Sequence, residues 1–147
     1  MEHEKIIFPL KPDEYGYPPS EYEGLWVVRK PNGNFLIDSV PFFVEGVSLG
    51  DEVSARKTEV GELWFQKLLV PSKHSTFRVI ASNREAMTVA LTQLTALGCK
   101  AEINEPLFLV AFSVAPNSAI APILTFLMDG KRTGEFDFEE AALRHAI

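Results

Sequence analysis

Residues 76–114, TFRVIASNREAMTVALTQLTALGCKAEINEPLFLVAFSV, decide the fold. Thr76-Phe77-Arg78-Val79-Ile80 is rich in β-branched and aromatic residues, which suit a pleated, half-buried surface, and reads as a strand. Ser82-Asn83-Arg84-Glu85 fits the capping box Ser-x-x-Glu, in which each side chain satisfies a backbone donor left over at a helix start. Met87, Ala90, Leu91, Leu94 and Leu97 follow at helical spacing, and Gly98 stands where a helix-ending glycine belongs. Residues 99–103 return as a strand. Asn104-Glu105-Pro106 turns the chain, and residues 107–114 form a longer, nearly all-apolar strand.

Working outward toward the C-terminus, Asn117 or Ser118 caps a second helix with a buried stripe of Ile120, Ile123, Leu124, Leu127 and Met128. Pro122 falls in its first turn, where a missing N–H does least harm, and Gly130 ends it. Glu135-Phe136-Asp137-Phe138 alternates polar and apolar as an edge strand does, while the tail from Glu139 reads equally as a helical turn or coil. The order over residues 73–140 is β-α-β-β-α-β, a ferredoxin-like half with both helices on one face of an antiparallel sheet.

Upstream, Leu25-Trp26-Val27-Val28 and Phe35-Leu36-Ile37 read as strands flanking Pro31-Asn32-Gly33-Asn34, whose Asn-Gly supplies the positive φ of a tight hairpin. Residues 41–47 read as a third strand broken at Gly46, and residues 53–57 and 63–70 as two more, with Gly50-Asp51 and Gly61 at the turns. Five short strands at this spacing form a small curled sheet or barrel. Residues 1–23 read as an irregular arm in which Ile6-Ile7-Phe8 is a short strand at most, because Pro12, Gly16, Pro18 and Pro19 oppose regular structure. The expected class is α+β: an acidic Tyr/Pro-rich arm over 1–23, a barrel-like subdomain over 24–72 and a ferredoxin-like subdomain over 73–147, with a seam at Pro71.

Composition narrows the function classes. The chain has 147 residues and 46% hydrophobic residues, enough for a core. Its net charge of −6 repels phosphates, so no nucleic-acid partner is expected, and it favours a basic partner. The acidity lies mainly in residues 1–72, which carry 7 basic and 12 acidic groups against 7 and 8 in residues 73–147. A lone Cys99 allows neither an internal disulfide nor a cysteine zinc cluster. The start, Met1-Glu2-His3-Glu4, lacks a signal peptide's basic and apolar regions, and no run of about 18 apolar residues would span a bilayer. A cytoplasmic protein away from membranes is expected.

Several short motifs carry a resemblance. Glu23-Gly24-Leu25-Trp26, Pro41-Phe42-Phe43 with Gly46, Gly50-Asp51 with Val53, Thr76-Phe77-Arg78, Leu94 with Leu97-Gly98, and Phe136 with Phe138-Glu139-Glu140 form one series over residues 6–145. The series resembles a bacterial family known only as a domain of unknown function. Families of this kind are similar to proteins found beside secreted bacterial toxins, where an immunity protein blocks its cognate toxin. The resemblance carries over no catalytic residues.

Chemistry-bearing patterns are weak. Gly46-Val47-Ser48-Leu49-Gly50 matches Gly-x-Ser-x-Gly, but both flanks read as strands rather than the strand-to-helix elbow that a catalytic Ser48 needs. His3, His74 and His145 read as solvated. Asp51-Glu52, Glu21 with Glu23, and Asp137 with Glu139-Glu140 read as an acidic surface, and Gly130-Lys131-Arg132-Thr133-Gly134 as a basic turn complementing a helix dipole. Cys99 reads as buried, and Trp26 and Trp64 as core. No metal, cofactor or catalytic set is expected.

The acidic arm is the candidate site. Asp13, Glu14, Tyr15, Tyr17, Glu21, Tyr22 and Glu23 combine tyrosines, which offer large rigid contact surfaces, with carboxylates suited to a basic partner; the alternative is that the tyrosines pack back on the barrel while the acids face water. Two readings follow. One is a non-enzymatic immunity or inhibitor protein that covers a basic toxin domain. The other is a ferredoxin-like module that binds a small regulatory molecule.

Overall fold

The computed structural model describes residues 3–146 and divides into two compact units, the first ending at Ser72 and the second beginning at Lys73. The fold is mixed α+β, mostly strand with two helices.

In the first unit five strands close a barrel: β1 (His3–Pro9), β2 (Tyr22–Arg29), β3 (Phe35–Ile37), β4 (Glu52–Lys57) and β5 (Leu63–Val70). Neighbours pair antiparallel from β1 to β5, and β5 closes the ring by pairing parallel to β1 through Ile6↔Leu63 and Ile7↔Trp64. Closure leaves no open sheet edge. Alternation along β1 buries Ile6 and Phe8, while Leu25, Val27, Phe35, Ile37 and Val53 fill the barrel from the other strands. Phe8 stacks on Phe65 with centroids 4.6 Å apart.

Two strand assignments differ from the sequence reading. Residues 3–9 belong to the barrel rather than to an irregular arm, because His3 to Pro9 alternates out and in with period two. Conversely, residues 41–47 form no strand. Pro41, Val44 and Val47 are buried from a loop and Phe42 and Phe43 are half-buried, and Val44 and Val47 join the barrel core. The hairpin at Pro31-Asn32-Gly33 also departs from the tightest form. Only Gly33 has positive φ, at +88°, and Lys30 N–H reaches Asn34 O around a three-residue loop.

The second unit runs β6 (Ser75–Ala81), α1 (Arg84–Ala96), β7 (Lys100–Asn104), β8 (Leu109–Val114), α2 (Ala121–Thr133) and β9 (Phe136–Ala142). Its sheet order is β7-β8-β6-β9 with every neighbouring pair antiparallel. Phe77, Val79 and Ala81 of β6 pack with Val110, Phe112 and Val114 of β8 against Met87, Ala90 and Leu94 of α1 and Ile123 and Leu127 of α2.

The helix ends depart from expectation for local reasons. Asn83, not Ser82, caps α1, its Oδ1 accepting Ala86 N–H at 2.8 Å. Ser82 instead donates its hydroxyl to Glu135 O at 2.9 Å. Asn117 and Ser118 lie in a turn closed by Ser118 N–H to Ala115 O, with Pro116 at the position that fixes such turns, so α2 begins later and without a side-chain cap. It also runs past Gly130 to Thr133, ending at Gly134 with φ +80°. Lys131 and Arg132 thus sit in its last turn rather than beyond it, and Met128 is 64% exposed, outside the buried stripe.

Gly130 serves packing. A Cβ there would lie 2.0 Å from Cζ of Phe136, whose ring presses on the helix. Gly130→Ala should therefore destabilise the second unit by about 1–3 kcal/mol despite alanine's better helix propensity. Urea unfolding of the two proteins measures the difference, and an unchanged or raised midpoint would refute the packing role.

Candidate functional site

The expected binding residues sit on the loop between β1 and β2, residues 10–21, and at the start of β2. The loop is internally bonded. Leu10 N–H donates to Glu21 O at 2.8 Å, continuing the β1–β2 ladder by one pair. Asp13 organises the tip: its Oδ1 accepts the N–H groups of Tyr15 at 2.9 Å and Tyr17 at 3.0 Å, and its own N–H reaches Tyr17 O at 2.8 Å. An Asp that mimics a backbone turn in this way holds the loop without a hydrophobic core. Gly16 turns the tip with φ +77°.

Held so, Tyr15 is 86% and Tyr22 60% exposed, while Tyr17 meets the Phe43 ring edge-on at 6.0 Å. Glu14 and Glu21 face solvent.

Glu23 does not belong with them. Its carboxylate accepts three backbone N–H groups from the loop after β3: Phe42 at 2.7 Å on Oε2, and Phe43 at 3.0 Å and Val44 at 2.9 Å on Oε1. Those donors lie in a loop outside any strand, and the carboxylate serves them as a ladder would. Asp51, fully buried, does the same for two more, accepting Ser48 N–H at 2.9 Å and Ser72 N–H at 2.7 Å. Ser48 is itself buried in the turn that Asp51 closes, which is no nucleophile elbow.

Glu52, Asp137 and Glu139 are engaged rather than simply solvated. Glu52 pairs with Lys30 and also accepts Asn34 Nδ2–H at 3.0 Å, and the Lys30 contact leads in holding its carboxyl below the usual range. Asp137 is held low by the Phe138 N–H and then by Lys131 at 3.2 Å. Glu139 meets the buried Arg78 at 2.9 Å.

The histidines are not simply solvated. His3 pairs with Asp38 on the barrel wall, beside Trp26, which is 48% exposed rather than core. An open hollow of about 330 Å³ lies at these three residues. His74 Nδ1 lies 3.2 Å from Ser113 Oγ. His145 Nε2 lies 2.8 Å from Ala115 O; a carbonyl only accepts, so Nε2 carries the proton and Nδ1 accepts from Ser75 Oγ at 2.6 Å. Ser75 Oγ also accepts the N–H groups of Arg144 at 2.8 Å and His145 at 3.1 Å. A buried hydroxyl with one donated and two accepted bonds fastens the tail; it has no lone pair left for attack. Among the described residues no three His, Cys, Asp or Glu side chains cluster as metal ligands, and no helix is long and apolar enough to cross a membrane.

Sequence reasoning singled out the tyrosines but missed the barrel-wall group of His3, Lys5, Trp26 and Asp38. The period-two alternation from His3 to Pro9 was the available signal for it.

A family model described as a domain of unknown function, DUF4265, matches residues 23–138. The chain belongs to that family. A crystal structure of a hypothetical protein from Neisseria gonorrhoeae superposes with a TM-score of 0.77 over 99% of this chain and 100% of the other at 19% identity, a likeness of fold alone. No curated protein matches the chain.

Two outcomes test the site's construction. Glu23→Ala strands three N–H groups and should destabilise the first unit by about 3 kcal/mol, with Glu23→Gln retaining one acceptor and losing less; equal stability of all three proteins in urea would refute the clasp. Burial pushes the Cys99 thiol up to about 11. Near pH 8 the native chain should alkylate about a hundredfold more slowly than the unfolded chain, because only the thiolate reacts. Equal rates with iodoacetamide would place Cys99 in solvent.

Proposed function

We propose that the chain is a non-enzymatic protein-binding protein of the inhibitor kind, an immunity protein that neutralises a cognate bacterial toxin in the cytoplasm by covering a basic surface on it. The observation that carries this reading is the internally bonded loop presenting Tyr15 at 86% exposure beside Glu14 and Glu21. A soluble chain gains nothing in folding from a tyrosine left in water. Held on a preorganised loop, it loses little entropy on docking. The carboxylates favour encounter with a cationic partner and raise the association rate. The motifs that resemble a family similar to toxin-associated proteins support the inhibitor role, and the single reduced thiol supports the cytoplasmic location.

In the second unit, the order β-α-β-β-α-β with sheet order β7-β8-β6-β9 supports a ferredoxin-like arrangement. One observation favours a ligand-binding module instead, an open hollow of about 340 Å³ lined by residues that include Ile80, Ser82, Lys131 and Phe136. Its polar groups already serve the fold, Lys131 on Asp137 and Ser82 on Glu135 O, so the loop is the stronger site.

Affinity capture from the host's own lysate, run in parallel with Tyr15→Ala/Tyr22→Ala and Glu14→Lys/Glu21→Lys variants, tests the proposal. A basic protein retained by the parent chain should be lost from the tyrosine variant, each anchor contributing about 2 kcal/mol. The charge variant should slow its association and remove its salt dependence. A partner held equally by all three proteins, or no partner at all, overturns the reading.

A further inference from the structure

The sheet of the second unit ends at β7 on one side and β9 on the other. Two hydrogen bonds fix which backbone groups lie on those edges. Ala81 N–H donates to Phe108 O at 2.9 Å, so in the β6–β8 register the odd positions of β6 exchange bonds with the even positions of β8. Ser82 N–H donates to Glu135 O at 3.0 Å, which gives the even positions of β6 to β9. β8 therefore turns the backbone groups of Leu109, Ala111 and Ser113 toward β7, where Asn104, Glu102 and Lys100 stand opposite them. Ala101 and Ile103 of β7 point their N–H and C=O groups the other way, out of the sheet. Phe136 and Phe138 of β9 do the same at the far edge.

The far edge is closed to strand addition. Asp137 Oδ1 accepts the outward Phe138 N–H at 2.8 Å. Every antiparallel pairing of β9 with itself that uses its outward groups also sets Asp137 or Glu139 against a carboxylate of the other strand. Such devices keep an edge from pairing. β7 has neither device. Its charged residues, Lys100 and Glu102, are of opposite sign, and Ala101 and Ile103 are only half-buried where Ala111 inside the sheet is fully buried.

We propose that β7 is the seam of a dimer, pairing antiparallel with β7 of a second copy about a two-fold axis at Ala101. Charge and hydrogen bonding select this register together. An axis at Lys100 or Glu102 opposes like charges, and one at Ile103 runs Ala101 against Glu105 in the 3-10 turn Glu105–Leu107. With the axis at Ala101, Lys100 lies opposite Glu102 twice, in the closer kind of antiparallel pair. Glu102 also has contacts within its own chain, and a carboxylate accepts several bonds. Ala101 exchanges a pair of bonds with its counterpart. Each Ile103 N–H reaches the Cys99 C=O opposite, whose own N–H already serves Leu94 O at 3.0 Å. The pairing joins two four-stranded sheets into one, and an isologous pair is closed, so assembly stops at the dimer. Residues 99–103, at about 3.4 Å each and a sheet thickness of about 10 Å, cover roughly 170 Å². That is about a fifth of what one partner of a standard interface buries, so the dimer is weak, with a dissociation constant on the order of 100 µM. The proposal goes beyond the inhibitor reading and stands without it.

Sedimentation of the full chain from about 10 µM to about 1 mM brackets such a dimer. The mass should rise from 16.4 kDa toward twice that. Over the same series hydrogen exchange at the Ala101 and Ile103 amides should slow, while the Glu102 amide, bonded to β8, exchanges slowly throughout. Ala101→Pro removes an N–H that β8 does not use, and should weaken self-association at least about tenfold with the fold intact. Lys100→Glu and Glu102→Lys should each weaken it as well. Mixed together they should form a one-to-one heterodimer, because every charged pair across the axis is then again of opposite sign. Far-UV circular dichroism and melting temperature show that each variant folds; if Glu102→Lys does not, Ala101→Pro and Lys100→Glu still decide. A parent chain monomeric up to about 1 mM, a dimer that Ala101→Pro leaves intact, exchange at Ala101 and Ile103 that ignores concentration, or folded charge variants that fail to pair when mixed overturns the proposal. Tyr15→Ala/Tyr22→Ala, which tests the inhibitor reading, should dimerise as the parent does, so the two readings fail separately.

Discussion

Closing five short strands into a ring leaves residues 42–44, in the loop between β3 and β4, outside any strand, with backbone donors that need acceptors. Buried N–H groups without acceptors are costly, and this stretch is too apolar to stay in water. The first unit answers with carboxylates. Glu23 reaches three consecutive N–H groups, and Asp51 ties the end of the same loop to Ser72. With its backbone settled, the loop can turn Val44 and Val47 into the barrel. The motifs that seemed scattered in sequence, Glu23 to Trp26, Pro41 to Phe43 and Gly50-Asp51, meet here as donor and acceptor.

The second unit solves a comparable problem at its central strand. Arg78 is buried on β6 and meets Glu139 of β9, the residue directly opposite. Removing Glu139 would take a counter-charge from a cation in the interior. Thr76-Phe77-Arg78 and Phe136 to Glu140 therefore belong together, as two strands in register rather than as a catalytic set. Phe136 adds the contact that makes Gly130 a packing residue instead of a helix stop.

Local chemistry was legible wherever it decided the outcome. The spacing of Met87, Ala90 and Leu94 and the glycine at position 98 specified α1, because both act within a few residues. The barrel was legible as a count of strands, but one of the five was misplaced. Residues 41–47 have strand composition, but the distant Glu23 holds three of their N–H groups in a loop, while β1 runs into a proline-rich loop. Of the candidate site, the surroundings of Tyr15 and Tyr22 left open whether they face solvent or pack back on the barrel. The fate of Glu23 could not be read either, since an acidic residue next to tyrosines looks the same whether it faces a partner or a loop. The juxtaposition of Lys5 and Trp26 depends on register between β1 and β2, which no window of sequence contains.

The fastening at Ser75 bears on how the protein is made. Ser75 opens the second unit, yet its hydroxyl is satisfied by Arg144 and His145, some seventy positions later. β6 also lies between β8 and β9 and has neither neighbour when it leaves the ribosome. The barrel, by contrast, draws every strand from the first 72 residues. Synthesis thus releases a barrel able to close at once, followed by a sheet whose central strand waits for the last residues of the unit. During that interval β6, with Phe77 and Val79 unpacked, is the segment most open to wrong pairing, and the one a chaperone would have to shield.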